Sequence, residues 1–193
     1  MGGGGVLRWG AALLAAAVAS CASTQMENTW REPEAEGMSL SRVAVVCLAQ
    51  DEAMRRLAED EVVHQLGIAA VRASYQVLGD VDPHNRKAVR DDLQAQGFDG
   101  VLLMRLVGVS EQVGYTGPSP VGSFYAYYGW ASGAVQPTWD TVVRMETKLY
   151  SLPLDRLIWS GESKTFDPSS MRQAVGDVSR AVARRLRKDR LLI

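Results

Sequence analysis

Apolar positions along the chain fall into short continuous runs, one strictly alternating run and two helical stripes, and each pattern predicts an element. Val43 to Ala49 is apolar and rich in β-branched residues, the signature of a strand covered on both faces. Asp51 follows as a helix cap, with Glu52 in the first turn. From there Met54, Leu57, Ala58, Val62 and Leu66 recur at three- and four-residue spacing and form one apolar stripe. Arg55, Arg56, Glu59 and Asp60 fall elsewhere on that cylinder, and Gly67 ends it. Ile68 to Ala73 reads as a second strand, continuing less regularly through Tyr75, Val77 and Leu78. A turn at Gly79-Asp80-Val81-Asp82-Pro83 leads into a helix over His84 to Gln96, whose stripe is thin (Ala88, Val89, Leu93). Gly97-Phe98-Asp99-Gly100 closes it. Val101 to Val107 is the most apolar run downstream of residue 20 and is expected as the central strand.

The second half changes period. Val143, Met145, Thr147 and Leu149 alternate with Arg144, Glu146, Lys148 and Tyr150, which marks an antiparallel strand with a charged outer face. Pro153-Leu154-Asp155-Arg156 makes a turn, and Leu157 to Phe166 returns as the hairpin partner with Trp159 in it. Asp167-Pro168-Ser169-Ser170 starts a last helix striped by Met171, Val175, Val178, Val182 and Leu186. Strand and helix alternating, then a hairpin and a helix, predict one α/β domain. Its expected form is a mixed sheet of about five strands (βαβαβ, then an antiparallel hairpin, then a C-terminal helix), with the first strands parallel.

Two stretches fit none of these periods. Residues 112–137 hold five glycines and three prolines among the aromatics Tyr115, Phe124, Tyr125, Tyr127, Tyr128 and Trp130. A loop that long in a compact domain tends to serve function. Tyr and Trp offer rigid, amphipathic area suited to a protein, glycan or lipid-interface partner, while the plainer reading is a flap over the sheet. Residues 21–41 are polar, with Pro33 and Gly37, and read as a tether ahead of a globular domain at 42–193. About 16 extended residues of tether would reach ~50 Å. Trp30 is out of place in a tether and is expected to dock on the domain, the alternative being the lipid headgroups.

The N-terminus explains why a tether is expected. Arg8 precedes an uncharged apolar run from Ala11 to Ala19, and Val18-Ala19-Ser20-Cys21 is followed at once by small and polar residues. That order fits a bacterial lipoprotein signal over 1–20, removed to leave Cys21 as the lipid-carrying first residue of the mature chain. A plain secretory signal cut after small residues at Ala17, Ala19 or Ala22 is the alternative. The run is too short to span a bilayer, and Val6 stands where an N-myristoylation signal has Ser or Thr.

Composition narrows the rest. The 193-residue chain carries 21 Lys and Arg against 22 Asp and Glu, and losing Arg8 with the leader leaves it slightly acidic. It is long enough to bury about 70% of the surface its unfolded form exposes, and it lacks the basic balance of a nucleic-acid binder. Of its two cysteines, lipidation uses Cys21, and Cys47 lies in an apolar run where a small buried residue is the expectation. Asp80, Asp82 and His84 are close in sequence, but a divalent site needs three or four converging ligands and no further Cys/His cluster completes one. A turn and helix cap account for the same residues. His64 lies beside charged neighbours on a helix flank. The chain has no nucleophile elbow, zinc-protease helix or phosphate loop, so no catalytic residue, metal or cofactor is assigned. Arg184, Arg185, Arg187, Lys188 and Arg190 crowd the end of the last helix, where the dipole favours cations; anionic headgroups are a second use for them.

Read together, Cys21-Ala22-Ser23-Thr24, Thr29-Trp30-Arg31-Glu32-Pro33 and the strand Arg42 to Val46 resemble a bacterial envelope lipoprotein family of unknown function. Arg55 to Glu61, Asp99-Gly100-Val101-Leu102, the Gly/Tyr-rich loop and Leu157-Ile158-Trp159-Ser160-Gly161-Glu162 extend the resemblance over nearly all of the mature chain. It implies outer-membrane anchoring facing the periplasm, in keeping with Ala22 after the cysteine, and no established activity. The expectation is a lipid-anchored cell-envelope protein that is not an enzyme and that binds or assembles an envelope protein or glycan through the aromatic loop. A small envelope hydrolase or metal-dependent enzyme built on Asp80, Asp82 and His84 is the alternative.

Overall fold

The computed structural model describes residues 23–78, 85–115 and 137–193. They form a single α/β domain around an open six-stranded mixed sheet. The strands are β1 (Ser23–Arg31), β2 (Val43–Leu48), β3 (Arg72–Ala73), β4 (Gly100–Tyr115), β5 (Pro137–Ser151) and β6 (Arg156–Phe166), in spatial order β1-β6-β5-β4-β2-β3. β2 is parallel to both β3 and β4, and the other pairs are antiparallel. Among the described residues the helices are α1 (Glu52–Leu66), the short α2 (Ser74–Val77), α3 (Arg86–Ala95) and α4 (Met171–Lys188).

The strand periods decide what covers each face. Val43, Val45, Leu102, Met104, Val143, Met145, Leu149 and Trp159 form the inner face and pack with Ala58, Val62 and Leu66 of α1 and Val175, Val178, Val182 and Leu186 of α4. Ala44 and Val101, one residue out of step, face the other way and meet Leu93, Val89 and Phe98 around α3. α1 and α3 thus lie on opposite sides of the sheet, as right-handed crossovers require when the path from β2 to β3 reverses toward β4. α1 begins as read, with the Asp51 side chain accepting from the Met54 N–H at 2.9 Å, and ends at Gly67 in the left-handed region (φ 62°). Ser170 caps α4 by accepting from the Gln173 N–H at 3.1 Å. The basic end of α4 is built into the domain: Arg187 donates to the Gln65 and Leu66 carbonyls that end α1, and Arg185 pairs with Asp189 at 2.8 Å.

Three expectations change. Ser23–Arg31 is the edge strand of the sheet, not a tether, pairing with β6 from Ser23 opposite Phe166 to Arg31 opposite Trp159. Leu40 then clasps the chain's last residues: its N–H donates to the Leu191 carbonyl and its carbonyl accepts from the Ile193 N–H. The polar composition misled because an edge strand has one outer face and one open side, so few of its positions need be apolar. Trp30 stands in β1 opposite Ser160 and remains 41% exposed. The second strand contracts to Arg72–Ala73, and the chain turns directly into α2. The loop contracts as well, because 112–115 belong to β4 and Pro137 opens β5.

Two of the motifs behind the family resemblance have local physical causes. The Asp99 carboxylate accepts from the Ser41 N–H and hydroxyl, both at 2.7 Å, and from the Arg42 N–H at 2.9 Å. A Cβ at Gly100 would stand 2.3 Å from Leu40 Cδ1. At Gly161 a Cβ would meet the Trp159 ring and Met26 Cε, each at 2.8 Å. The Trp-x-Gly spacing therefore lets the indole lie flat over a glycine two residues on, where a side chain would otherwise share its face.

Candidate functional site

β4 and β5 outrun their neighbours. β2 ends opposite Arg105, and β6 reaches only Val142, yet β4 and β5 stay paired to Tyr115 opposite Pro137. The result is a two-stranded ribbon leaving one end of the sheet. A register shift between Leu106 and Gly108 resets the pleat, and Val109 and Val113 then stand on the face of Val143 and Trp139. The inner, apolar face of the sheet continues onto the ribbon past the point where helices cover it. Leu106, Val109, Val113 and Trp139 are 45%, 53%, 47% and 67% exposed. Val101 to Val107 is central only in its first half: Leu102 and Met104 are buried, whereas Leu106 and Val107 have lost the β2 neighbour.

At the root of the ribbon an apolar cavity of about 470 Å³ opens between the end of β2 and the first turns of α1 and α4. Leu48, Met54, Leu106, Met145, Met171 and Cys47 are among its walls. Burial foremost, then the neighbouring Glu59 carboxylate, push the Cys47 thiol up to about 11, against a smaller opposing pull from Arg55. At neutral pH it is a protonated, buried thiol, not a nucleophile. Glu59, which the sequence places off the apolar stripe of α1, is fully buried. It accepts from the Cys47 N–H at 3.0 Å and the Ser74 hydroxyl at 2.8 Å. Its spacing ahead of Val62 and Leu66 was the available signal.

The opposite face of the sheet is charged and open. Arg105, Glu146, Glu162 and Glu27 stand in one row across four strands. Arg105 and Lys148 both pair with Glu146, Lys164 pairs with Glu27 at 2.6 Å, and a cavity of about 240 Å³ lies among these groups. Hydrogen bonds from Arg105 and Lys148 hold the Glu146 carboxyl below the usual carboxylate range. This face can bind a polar partner.

Of the residues singled out in the sequence, Tyr115 ends β4 opposite Pro137. Cys21, the aromatics Phe124, Tyr125, Tyr127, Tyr128 and Trp130, and the trio Asp80, Asp82 and His84 lie outside the described residues. Among the described residues no three His, Cys, Asp or Glu side chains gather as metal ligands, and no helix is long and apolar enough to cross a membrane. His64 is exposed, as its charged neighbours suggested.

Fold and surfaces together define a small α/β domain with a long apolar-faced β-ribbon. No family model matches the chain, and no curated protein does. Among solved structures it is similar to the PelC dodecamer from Paraburkholderia phytofirmans (14% identity, 88% of this chain and 99% of that one, TM-score 0.47). It is also similar to lipoprotein GNA1162 from Neisseria meningitidis (16%, 77% and 98%, 0.37) and to a minor lipoprotein from Acinetobacter baumannii (10%, 78% and 95%, 0.25). Bacterial lipoproteins are thus among its structural neighbours. At these identities and TM-scores the likenesses bear on neither activity nor partner.

Proposed function

We propose that the chain is a lipid-anchored protein of the bacterial cell envelope, held at the outer membrane through Cys21, with a non-enzymatic binding or assembly role. The observation that carries this reading is Val18-Ala19-Ser20-Cys21 at the end of an uncharged apolar run, and the start of β1 at Ser23 adds where the domain then sits. The residue with the lipoprotein-type signal behind it lies two positions from the hydrogen-bonded sheet, so an anchor there holds the domain directly at the bilayer. The ~50 Å reach expected of a tether disappears. Ala22 after the cysteine supports the outer over the inner membrane. The partner is an envelope component met at the membrane, and the aromatic segment that joins Tyr115 to Pro137 is the contact. The face laced by Glu27, Glu146, Arg105, Lys148 and Lys164 is left for polar neighbours.

Two measurements test this reading. Cys21→Ser should move the protein from the membrane fraction of intact cells to the soluble periplasmic fraction; continued membrane association refutes the anchor. Replacing Tyr125, Tyr127, Tyr128 and Trp130 together by Ser should leave the circular dichroism spectrum and melting temperature unchanged while abolishing the crosslinked partner seen with the parent chain. An unchanged crosslink pattern refutes the loop as the contact.

A further inference from the structure

We infer that the inner face of the β4–β5 ribbon, at Leu106, Val109, Val113 and Trp139, rests in the headgroup region of a phospholipid bilayer. This rests on the Cys21 anchor and adds to it a fixed orientation of the domain. The first argument is the length of chain available. Ser23 lies opposite Phe166, Phe166 opposite Val142 and Val142 opposite Ser110, so one row of hydrogen-bonded partners links the start of β1 to the root of the ribbon. Three strand spacings make that row about 14 Å wide. Cys21 is two residues from its outer end, at most ~7 Å of chain. Val113 and Trp139 are opposed partners three positions beyond the row, about 10 Å farther along the ribbon. An anchor in the bilayer therefore brings these two side chains to its surface.

The second argument is chemical. The four side chains share one face, stand about half exposed or more, and adjoin the apolar walls of the cavity at Leu48, Met54 and Met171. A contiguous apolar surface of this kind marks an interaction site, and tryptophan is favoured at the boundary of lipid and water. Glu111 stands between Val109 and Val113 on the same face and is exposed. A carboxylate there keeps the ribbon out of the hydrocarbon, which limits contact to the headgroup layer. With Asp140 near the same end, attraction to anionic lipid does not drive the contact; apolar burial does.

The test supplies the anchor chemically, so it stands apart from lipidation in cells. The mature chain is coupled through Cys21 to a maleimide lipid in vesicles of phosphatidylethanolamine and phosphatidylcholine; the buried, protonated Cys47 leaves one reactive thiol. Emission is compared between vesicles with ordinary acyl chains and with chains brominated close to the glycerol ester, directly beneath the headgroups, for the parent and for Trp139→Phe. The difference between the two proteins isolates Trp139 from the other tryptophans. Brominated lipid should quench at least half of the Trp139 emission. Val109→Ser with Val113→Ser should remove that quenching at unchanged melting temperature, and the quenching should persist in 0.5 M salt, roughly a Debye length of 4–5 Å. Equal Trp139 emission in both vesicles overturns the inference. So does a Trp139 blue shift that follows protein density on vesicles without bromine quenching, because the face is then covered by a second copy of the chain. Failure of Cys21→Ser to release the protein in cells removes the anchor reading and leaves the vesicle result standing.

Discussion

Trp159→Ala should lower the stability of the domain by about 3–5 kcal/mol, the usual cost of emptying an aromatic site in a packed core. Trp159 is fully buried between the sheet and α4, and its indole N–H donates to Asp189 Oδ2 at 3.0 Å. The same Asp189 accepts from Arg185 through its carboxylate and from Arg31 through its carbonyl, so one ring ties together β6, the end of α4 and the end of β1. Removing it opens a void beside Gly161, which has no side chain to collapse into the space, and takes away one partner of a largely buried carboxylate. A melting temperature lowered by about 10 °C or more is expected for a domain of this size, measured by circular dichroism or calorimetry. Trp159→Phe keeps most of the volume while losing the hydrogen bond and the ring edge at Gly161, so it should recover over half of the deficit. Equal losses for the two variants would show that the Asp189 contact, not packing, dominates.

Glu59→Ala should cost about 2–4 kcal/mol, read as a lower urea midpoint at unchanged slope. The loss arises from what is left behind: the buried Cys47 N–H and the Ser74 hydroxyl lose their acceptor in a place water does not reach. An orphaned buried polar group costs about 1–3 kcal/mol. Glu59→Gln retains an acceptor oxygen and should lose less. Adding Ser74→Ala to Glu59→Ala removes one of the orphaned groups, so the double variant should be less destabilised than the sum of the singles, as expected for groups that share a contact. Strict additivity would show that Glu59 stabilises the helix by other means.

Most of the sheet was legible from residue period alone. Val43 to Cys47, the alternation Val143 to Leu149 and the stripe Val175 to Leu186 each point to one structure, because each is decided by a face that must be covered. The misses have a common physical origin in partners far away in sequence. Ser23 to Arg31 reads as polar linker, and only β6, more than a hundred residues later, makes a strand of it. Glu59 lies off the apolar stripe of its helix, and only β2 and α2 bring it the donors of Cys47 and Ser74. Leu106 and Val107 read as core because a continuous apolar run does not tell where a neighbouring strand stops. For the site the balance is reversed. Cys21 and the aromatic cluster were visible as sequence features, whereas the apolar ribbon face exists only through the register of β4 on β5 and the bulge after Leu106.

The clasp between Leu40 and Leu191–Ile193 also bears on when the protein can fold. It joins Leu40 to Leu191 and Ile193, far along the chain, and the pairing of Ser23 with Phe166 closes a circuit nearly as long. Contacts of such separation form late and slowly. The inner layer is sealed only once α4 and Leu191 have been made, so the core under β2 and α1 stays open until then.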